Sequence, residues 1–305
     1  MSENLFKLFT TEFSTNLEMK LQQAGSKLRG KVREGTHVGK QASPINQLAA
    51  IAAKAPAGRF APKNRTDADY TRRWVFPQDV EIDQLIDSFD ELRTIVDPKS
   101  EYSTNAAYAI GRAWDDCLIA ASFGTAQIGA DAGGLSAETF DTTKFQIAAA
   151  FDASAATGLT VAKLIETRRI FQKYHNDLHT DPVTLVIGSQ QESDLLKQQE
   201  VVSQEYNDKP VLVEGRLRRM LGFDIVVSER LQYNSDPSRE VIAFVKSGLY
   251  LGMWSDMTNR VSIRNDLASE PYDVYTRSSF GATRTQPGKV IQILCADSTG
   301  ADITA

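Results

Sequence analysis

The residues best placed by type to do chemistry in this 305-residue chain are His175 and His179, in the run His175-Asn176-Asp177-Leu178-His179, with Asp181 just beyond. A histidine pair at i, i+4 shares one helix face and is a zinc-ligand spacing. Here the apolar period fades before His175 and Asp181-Pro182 stops any helix at once, so the spacing predicts two histidines on a solvated helix end and no metal. Asp115 and Asp116 are the next candidates. Adjacent helical residues point about 100° apart, which rules out a proton-sharing carboxylate dyad. One is expected to pair with Arg112 and the other to face water.

Arg216, Arg218 and Arg219 could grip a phosphate, but Leu217, Met220 and Leu221 between and after them read as anchors into the fold, so an exposed intersubunit contact is the expected role. Lys27-Leu28-Arg29-Gly30-Lys31-Val32-Arg33 has the charge of a nucleic-acid patch. No aromatic residue is interleaved until Phe60, so base stacking is unsupported, and a phosphate-only or protein–protein role is predicted. Cys117 and Cys295 stand alone in apolar stretches and read as core thiols. The chain has no GxGxxG after a strand, no GxxxxGK[ST], no HExxH and no GxSxG. Catalytic, cofactor-binding and metal-ligating residues are therefore all expected to be absent.

The elements that must carry these residues belong to an ordered protein: 42% hydrophobic and 24% charged is an ordinary globular composition. No run of about 18 apolar residues exists, and the first residues lack the order of a secretory signal, so no membrane partner and a cytosolic origin are expected. The net charge of −5 conceals an asymmetry. Residues 1–80 carry 13 Lys plus Arg against 7 Asp plus Glu, whereas residues 81–305 carry 21 against 32. A basic segment on an acidic body predicts an extended arm with an anionic partner, either nucleic acid or the body of a neighbouring copy.

From Gly25 to Pro77 no sustained period is visible, apart from Ile45 to Lys54, where Leu48 and Ile51 suggest a short helical turn. Fifty residues without a core pattern are too many for an ordinary loop. Ile82, Leu85, Ile86 and Phe89 sit at helical spacing in the acidic stretch Asp79 to Asp97. A long helix follows, with Asp97 as cap, Pro98 in its first turn, Ala106, Ile110, Ala113, Trp114, Cys117 and Ala121 as its apolar stripe, and Gly124 as its stop. At about 25 residues it should be roughly 37 Å long.

Residues 125–158 read as loop with one short strand. Thr160 caps a second helix, with Val161, Leu164, Ile165 and Phe171 inward and Lys163, Glu166, Arg169 and Lys173 toward water. Val183 to Ile187 is an apolar strand, Gln190 to Gln199 a helix, and Gly222 to Val227 another strand. Strands at Val241–Val245, Leu249–Met253, Val261–Arg264, Tyr272–Thr276 and Val290–Cys295 complete the chain, after a turn at Ser235 to Pro237.

Taken in order over residues 74–297, these elements resemble the major capsid proteins of tailed bacteriophages, the Hong Kong 97 fold. The long helix resembles the spine helix of the peripheral (P) domain. Thr160 to Lys173, Val183-Thr184-Leu185-Val186-Ile187-Gly188-Ser189 and Glu192-Ser193-Asp194-Leu195-Leu196 resemble the opening of the axial (A) domain. Leu221-Gly222-Phe223-Asp224-Ile225-Val226-Val227 is similar to a loop-to-strand phrase of the family, and Phe280 to Cys295 to the last P-domain strands.

The resemblance implies an α+β, Hong Kong 97-like capsid fold with an N-terminal arm at 1–28, an extended E loop at 29–76, a P domain at 77–157 with its spine helix at 98–123, an A domain at 158–255, and P-domain return strands and C-terminus at 256–305. It implies a coat protein, not an enzyme, that self-assembles through hexamers and pentamers into an icosahedral shell around double-stranded DNA, which it contacts without sequence specificity. The expected partners are other copies of the chain, a separate scaffolding protein, a portal protein and a decoration protein. The expected location is the virion, with assembly in the bacterial host cytoplasm. The basic arm would meet the acidic body of adjacent copies. Crosslinking members join an E-loop Lys to a P-domain Asn; Lys40, Lys54 and Lys63 are the donors available here, but Glu270 stands at the acceptor position. An encapsulin-type nanocompartment shell is the alternative with the same fold. A metal-dependent α/β enzyme using His175 and His179, and a nucleic-acid-binding module using Lys27 to Arg33, are the alternatives of other classes.

Overall fold

A computed structural model of the chain describes residues 21–39, 43–55, 58–59, 65–86, 99–129, 134–198, 212–213, 216–234, 238–267 and 270–297. The strands are β1 (Arg33–Thr36), β2 (Ser43–Leu48), β3 (Tyr70–Val75), β4 (Gln78–Ile86), β5 (Ala126–Ile128), β6 (Ser136–Glu138), β7 (Gln146–Ile147) and β8 (Val183–Ile187). They continue as β9 (Leu212–Val213), β10 (Arg216–Leu217), β11 (Arg219–Met220), β12 (Phe223–Val227), β13 (Ser238–Val245), β14 (Leu249–Ile263), β15 (Tyr272–Arg284) and β16 (Val290–Ala296). The helices are α1 (Lys99–Phe123), α2 (Thr142–Phe145), α3 (Val161–Lys173) and α4 (Ser189–Leu196). The chain forms two compact units, one from residues 1–26, 79–113 and 255–279, the other from residues 27–78, 114–254 and 280–305.

In the first unit β14, β15 and β4 lie side by side in that order. Asp79, Glu81, Asp83 and Leu85 of β4 are exposed while Val80, Ile82 and Gln84 are half-buried, a period of two that makes this stretch a strand where a helix was expected. Phe89, Asp97 and Pro98 lie outside the described residues. Asn259 on β14 joins Ser103 of α1 to Thr276 of β15. Gly111 interrupts the helix interior, at a cost of about 1 kcal/mol against alanine. It is needed because a β-carbon there would lie 2.7 Å from the backbone of Gly25, which crosses the helix at this point. Arg112 secures the crossing by donating to Gln22 Oε1 at 2.7 Å and to the Gln23 carbonyl at 3.2 Å.

The second unit is built on a six-stranded sheet of order β11-β12-β8-β13-β16-β7. All five residues of β8 are buried, the mark of a central strand covered on both faces. It pairs parallel with β12 and antiparallel with β13, which pairs antiparallel with β16. The hydroxyl of Thr160 caps α3 by accepting the Lys163 N–H at 3.3 Å. Leu164, Thr167, Ile170 and Phe171 form its buried face. Ile165, expected inward, is 57% exposed, and Lys163, expected in water, is fully buried. Residues 126–147 hold three short strands and a helical turn where mostly loop was expected. Leu249–Ile263 is one strand where two were expected, and β15 runs on to Arg284. The second sheet of this unit has the order β2-β3-β5-β6.

Candidate functional site: the basic segment and the hairpin it carries

Leu28 and Val32 stand four residues apart and are 1% and 2% exposed, so the basic segment is pinned to the second unit by its two apolar side chains. The buried carboxylate of Asp115 accepts the backbone N–H groups of Lys27 at 2.9 Å and of Leu28 at 3.2 Å. The Lys27 ammonium donates to the Val227 carbonyl at 2.8 Å. The Arg29 guanidinium lies 4.5 Å over the Trp114 ring and 3.4 Å from Glu34. Lys31 is 3.7 Å from Asp224. Lys27, Arg29 and Lys31 thus each have a partner within the chain itself, although Lys31 stays 43% exposed beside Asp224. The cause is Leu28 and Val32, whose burial holds the intervening cations against their own unit.

Asp115 thus serves the backbone of the basic segment, while Arg112, expected to pair with one acid of the doublet, donates to Gln22 and Gln23. Asp116 faces outward and is paired with Arg230, whose Nε is 2.5 Å away. The two acids of the doublet have separate surroundings and do not act together.

From Arg33 the chain runs parallel to β14, with Arg33 opposite Tyr250 and Thr36 opposite Met253. The His37 ring meets the Tyr250 hydroxyl at 2.9 Å and lies 5.0 Å from the Trp254 ring, and burial lowers the imidazole pKa. A β-carbon on Gly35 would come within 1.9 Å of that hydroxyl, so a side chain there would push the Tyr250 ring out of its place beside His37.

Strands β2 and β3 then form an antiparallel hairpin, from Ser43 opposite Val75 to Leu48 opposite Tyr70. Within the stretch Ile45 to Lys54, where Leu48 and Ile51 suggested a helical turn, the part up to Leu48 is strand, because ladder pairing with β3 satisfies the backbone that a lone turn would leave to water. The hairpin base is fixed at several points. Trp74 Nε1 donates to the Gly129 carbonyl at 2.9 Å, and Gln47 to the Thr285 carbonyl at 3.1 Å. Arg73 is paired with Glu138. Ile45 and Val75 pack with Tyr250. Toward the far end, Leu48 is 59% and Tyr70 76% exposed, with Ile51 exposed beyond them. Lys40 and Lys63 lie outside the described residues; Lys54 is exposed, and Glu270 is exposed with a φ of +45°.

His175 follows the helix end, with a φ of +59°, and His179 lies in the next turn, where its backbone N–H donates to Asp177. They do not share a helix face. Among the described residues no group of three or more His, Cys, Asp or Glu is placed to hold a metal ion, and no helix is long and apolar enough to cross a membrane. Leu217 and Met220 are buried, as anchors should be, whereas Leu221 is exposed and Arg218 and Arg219 project beside it. The side chain of Arg216 lies outside the described residues. Burial pushes the thiol of Cys117 up to about 11 and that of Cys295 up to about 12.

Among the described residues, Lys163 and Arg284 are fully buried cations that the sequence pattern did not predict. Lys163 Nζ donates to the carbonyls of Thr157, Gly158 and Leu294 at 2.8–3.0 Å. Its signal was spacing: Lys163, Thr167 and Ile170 stand at i, i+4, i+7, on the inward face. Arg284 is fully buried at the end of β15, where it donates to the carbonyls of Ser122 and Gly124 at 2.9 and 3.1 Å and lies 5.2 Å over the Phe140 ring. It ties the last turn of α1 to β15, and nothing local in the sequence marks it.

The architecture is that of solved phage capsids. The capsid of Cyanophage P-SCSP1u superposes with a TM-score of 0.75 at 13% identity, over 98% of this chain and 97% of that one. The Cyanophage Pam1 capsid gives 0.71 at 12% identity, over 95% and 97%. The capsid of Ralstonia phage GP4 gives 0.69 at 11%, over 95% and 96%. The fold is therefore α+β and Hong Kong 97-like. A profile of the phage capsid protein family matches residues 6–297, and the chain belongs to that family. None of the curated proteins matches it. Membership makes it a structural, shell-forming protein of the virion capsid, and does not favour the encapsulin alternative.

Proposed function

We propose that the chain is the coat subunit of a tailed phage, assembling through hexamers and pentamers into an icosahedral shell around double-stranded DNA. In this reading α1 is the spine helix, residues 29–76 the E loop and residues 158–255 the A domain. The subunit performs no chemistry. A separate scaffolding protein, a portal and a decoration protein act with it, and assembly takes place in the host cytoplasm.

The observation that carries the reading is the β2–β3 hairpin, anchored at its base and exposed at its end. Its base is hydrogen-bonded and packed into the second unit, while Leu48, Ile51 and Tyr70 stand in solvent. Exposed apolar side chains grouped on a projecting element mark a surface meant for a partner. An element that leaves its own subunit to bind an identical neighbour makes a heterologous contact, which closes into rings.

Mass measurement with negative-stain imaging, on the chain alone and with its neighbouring reading frames, tests this. Megadalton spheres, or rings of five and six, are expected. A stable monomer or dimer under both conditions refutes it.

A further inference from the structure

The hairpin joining β11 to β12 turns through Leu221 and Gly222, with φ of +49° and +87°. Glycine adopts this left-handed region freely, but leucine is strained there. Leu221 is 37% exposed, so a strained apolar side chain is held outward at the tip, although Leu217 and Met220 just before it are buried. Arg168 of α3 reaches across and donates to the Leu221 carbonyl at 3.3 Å.

Among the described residues beside this knob, Asp224 meets both Arg219, at 3.6 Å, and Lys31, at 3.7 Å. Arg218 is exposed and its side chain has no partner among the described residues. Exposed pairs at such distances hold their partners weakly and exchange them readily. An apolar centre with a charged, arginine-rich rim is the anatomy of a protein–protein contact. A phosphate backbone would use the cations but has no use for the leucine.

We propose that this tip, Leu221 ringed by Arg168, Arg218, Arg219 and Lys31, docks on a second copy of the chain, on an acidic face with an apolar notch. The inference rests on the shell reading above. Charge selects the occupant: residues 81–305 of every copy carry 32 acidic against 21 basic residues, and identical copies are the neighbours always at hand.

Two variants of the full chain test the contact. Leu221→Gly removes the knob while relieving the backbone, and Arg218→Glu with Arg219→Glu reverses the rim. Leu221→Gly should melt no lower than about the parent, and the double reversal, which turns the exposed Arg219–Asp224 pair into a repulsion, only slightly lower, since neither disturbs the core. Each should slow assembly roughly tenfold or more at fixed concentration. Hydroxyl-radical footprinting should find Leu221 protected in rings and in empty shells alike. Parent-like assembly by both variants, in a parent that does assemble, overturns the contact and leaves the shell reading intact. Protection only in DNA-filled particles also overturns it, assigning the tip to phosphate. A parent that never assembles overturns both.

Discussion

Asp115 on α1 holds the backbone of Leu28, 87 residues earlier, through a 3.2 Å hydrogen bond, and the second oxygen of the same carboxylate holds the N–H of Lys27 at 2.9 Å. One acid thereby anchors the segment from which the β2–β3 hairpin departs. Replacing Asp115 by alanine should cost about 3 kcal/mol, because two backbone donors lose a charged acceptor. Asn should recover part of the loss. Urea unfolding of the two variants checks the ranking, and equal stability of Ala and parent would sink it.

Trp114 carries the Arg29 guanidinium 4.5 Å from its ring and meets Phe280 in a T-shaped contact, with ring centroids 6.4 Å apart. Trp114→Ala should cost about 3–5 kcal/mol, and Leu185→Ala in the sheet centre about 2–5 kcal/mol. A charged residue at either position should give insoluble protein, read by the soluble fraction on expression.

Lys163 has a pKa lowered by burial, so in the window below its ordinary value of 10.5 the unfolded chain binds more protons than the folded one. Stability contributed by this group therefore rises with pH through that window. Lys163→Met should abolish the rise. It should also lower stability by about 2 kcal/mol, since three carbonyls lose their donor. Thermal melts across alkaline pH, parent against variant, measure both effects; an unchanged slope would show that the ammonium is not the source.

Cys117 and Cys295 have thiols raised to about 11 and about 12 by burial, so both stay protonated near neutrality, and only the thiolate reacts. Alkylation in native buffer should be negligible and become complete in denaturant. Mass spectrometry reads the difference, and fast native labelling of Cys295 would contradict its burial.

Residues 33–36 pair with β14 and Val32 is buried, so removing the whole of 29–76 would damage the unit that carries it. Removing 49–69 and closing Leu48 to Tyr70 with a tight turn spares the ladder from Ser43 to Val75. The subunit should keep its circular dichroism and lose the ability to form closed particles. Normal particles from this deletion would refute the assignment of the hairpin as the E loop.

Some of this was determined by residue order alone. Ala106, Ile110 and Trp114 on one face of α1, the Thr160 cap and the apolar run of β8 are local patterns, and local patterns decide local structure. Leu217 and Met220 were legible as anchors for the same reason. The order of elements, through its resemblance to the phage capsid family, pointed to a coat protein. Tertiary structure alone decided where the charges went. Whether Asp115 faces Arg112 or the backbone of Lys27, whether Lys163 meets water or three carbonyls, and whether Leu221 points inward or out depend on segments far apart in sequence. β4 read as a helix and β2 as a helical turn because short apolar runs suit both periods until a partner strand is present to claim their hydrogen bonds. Spacing along the chain governs which face a residue occupies; only the packed neighbours govern what that face meets.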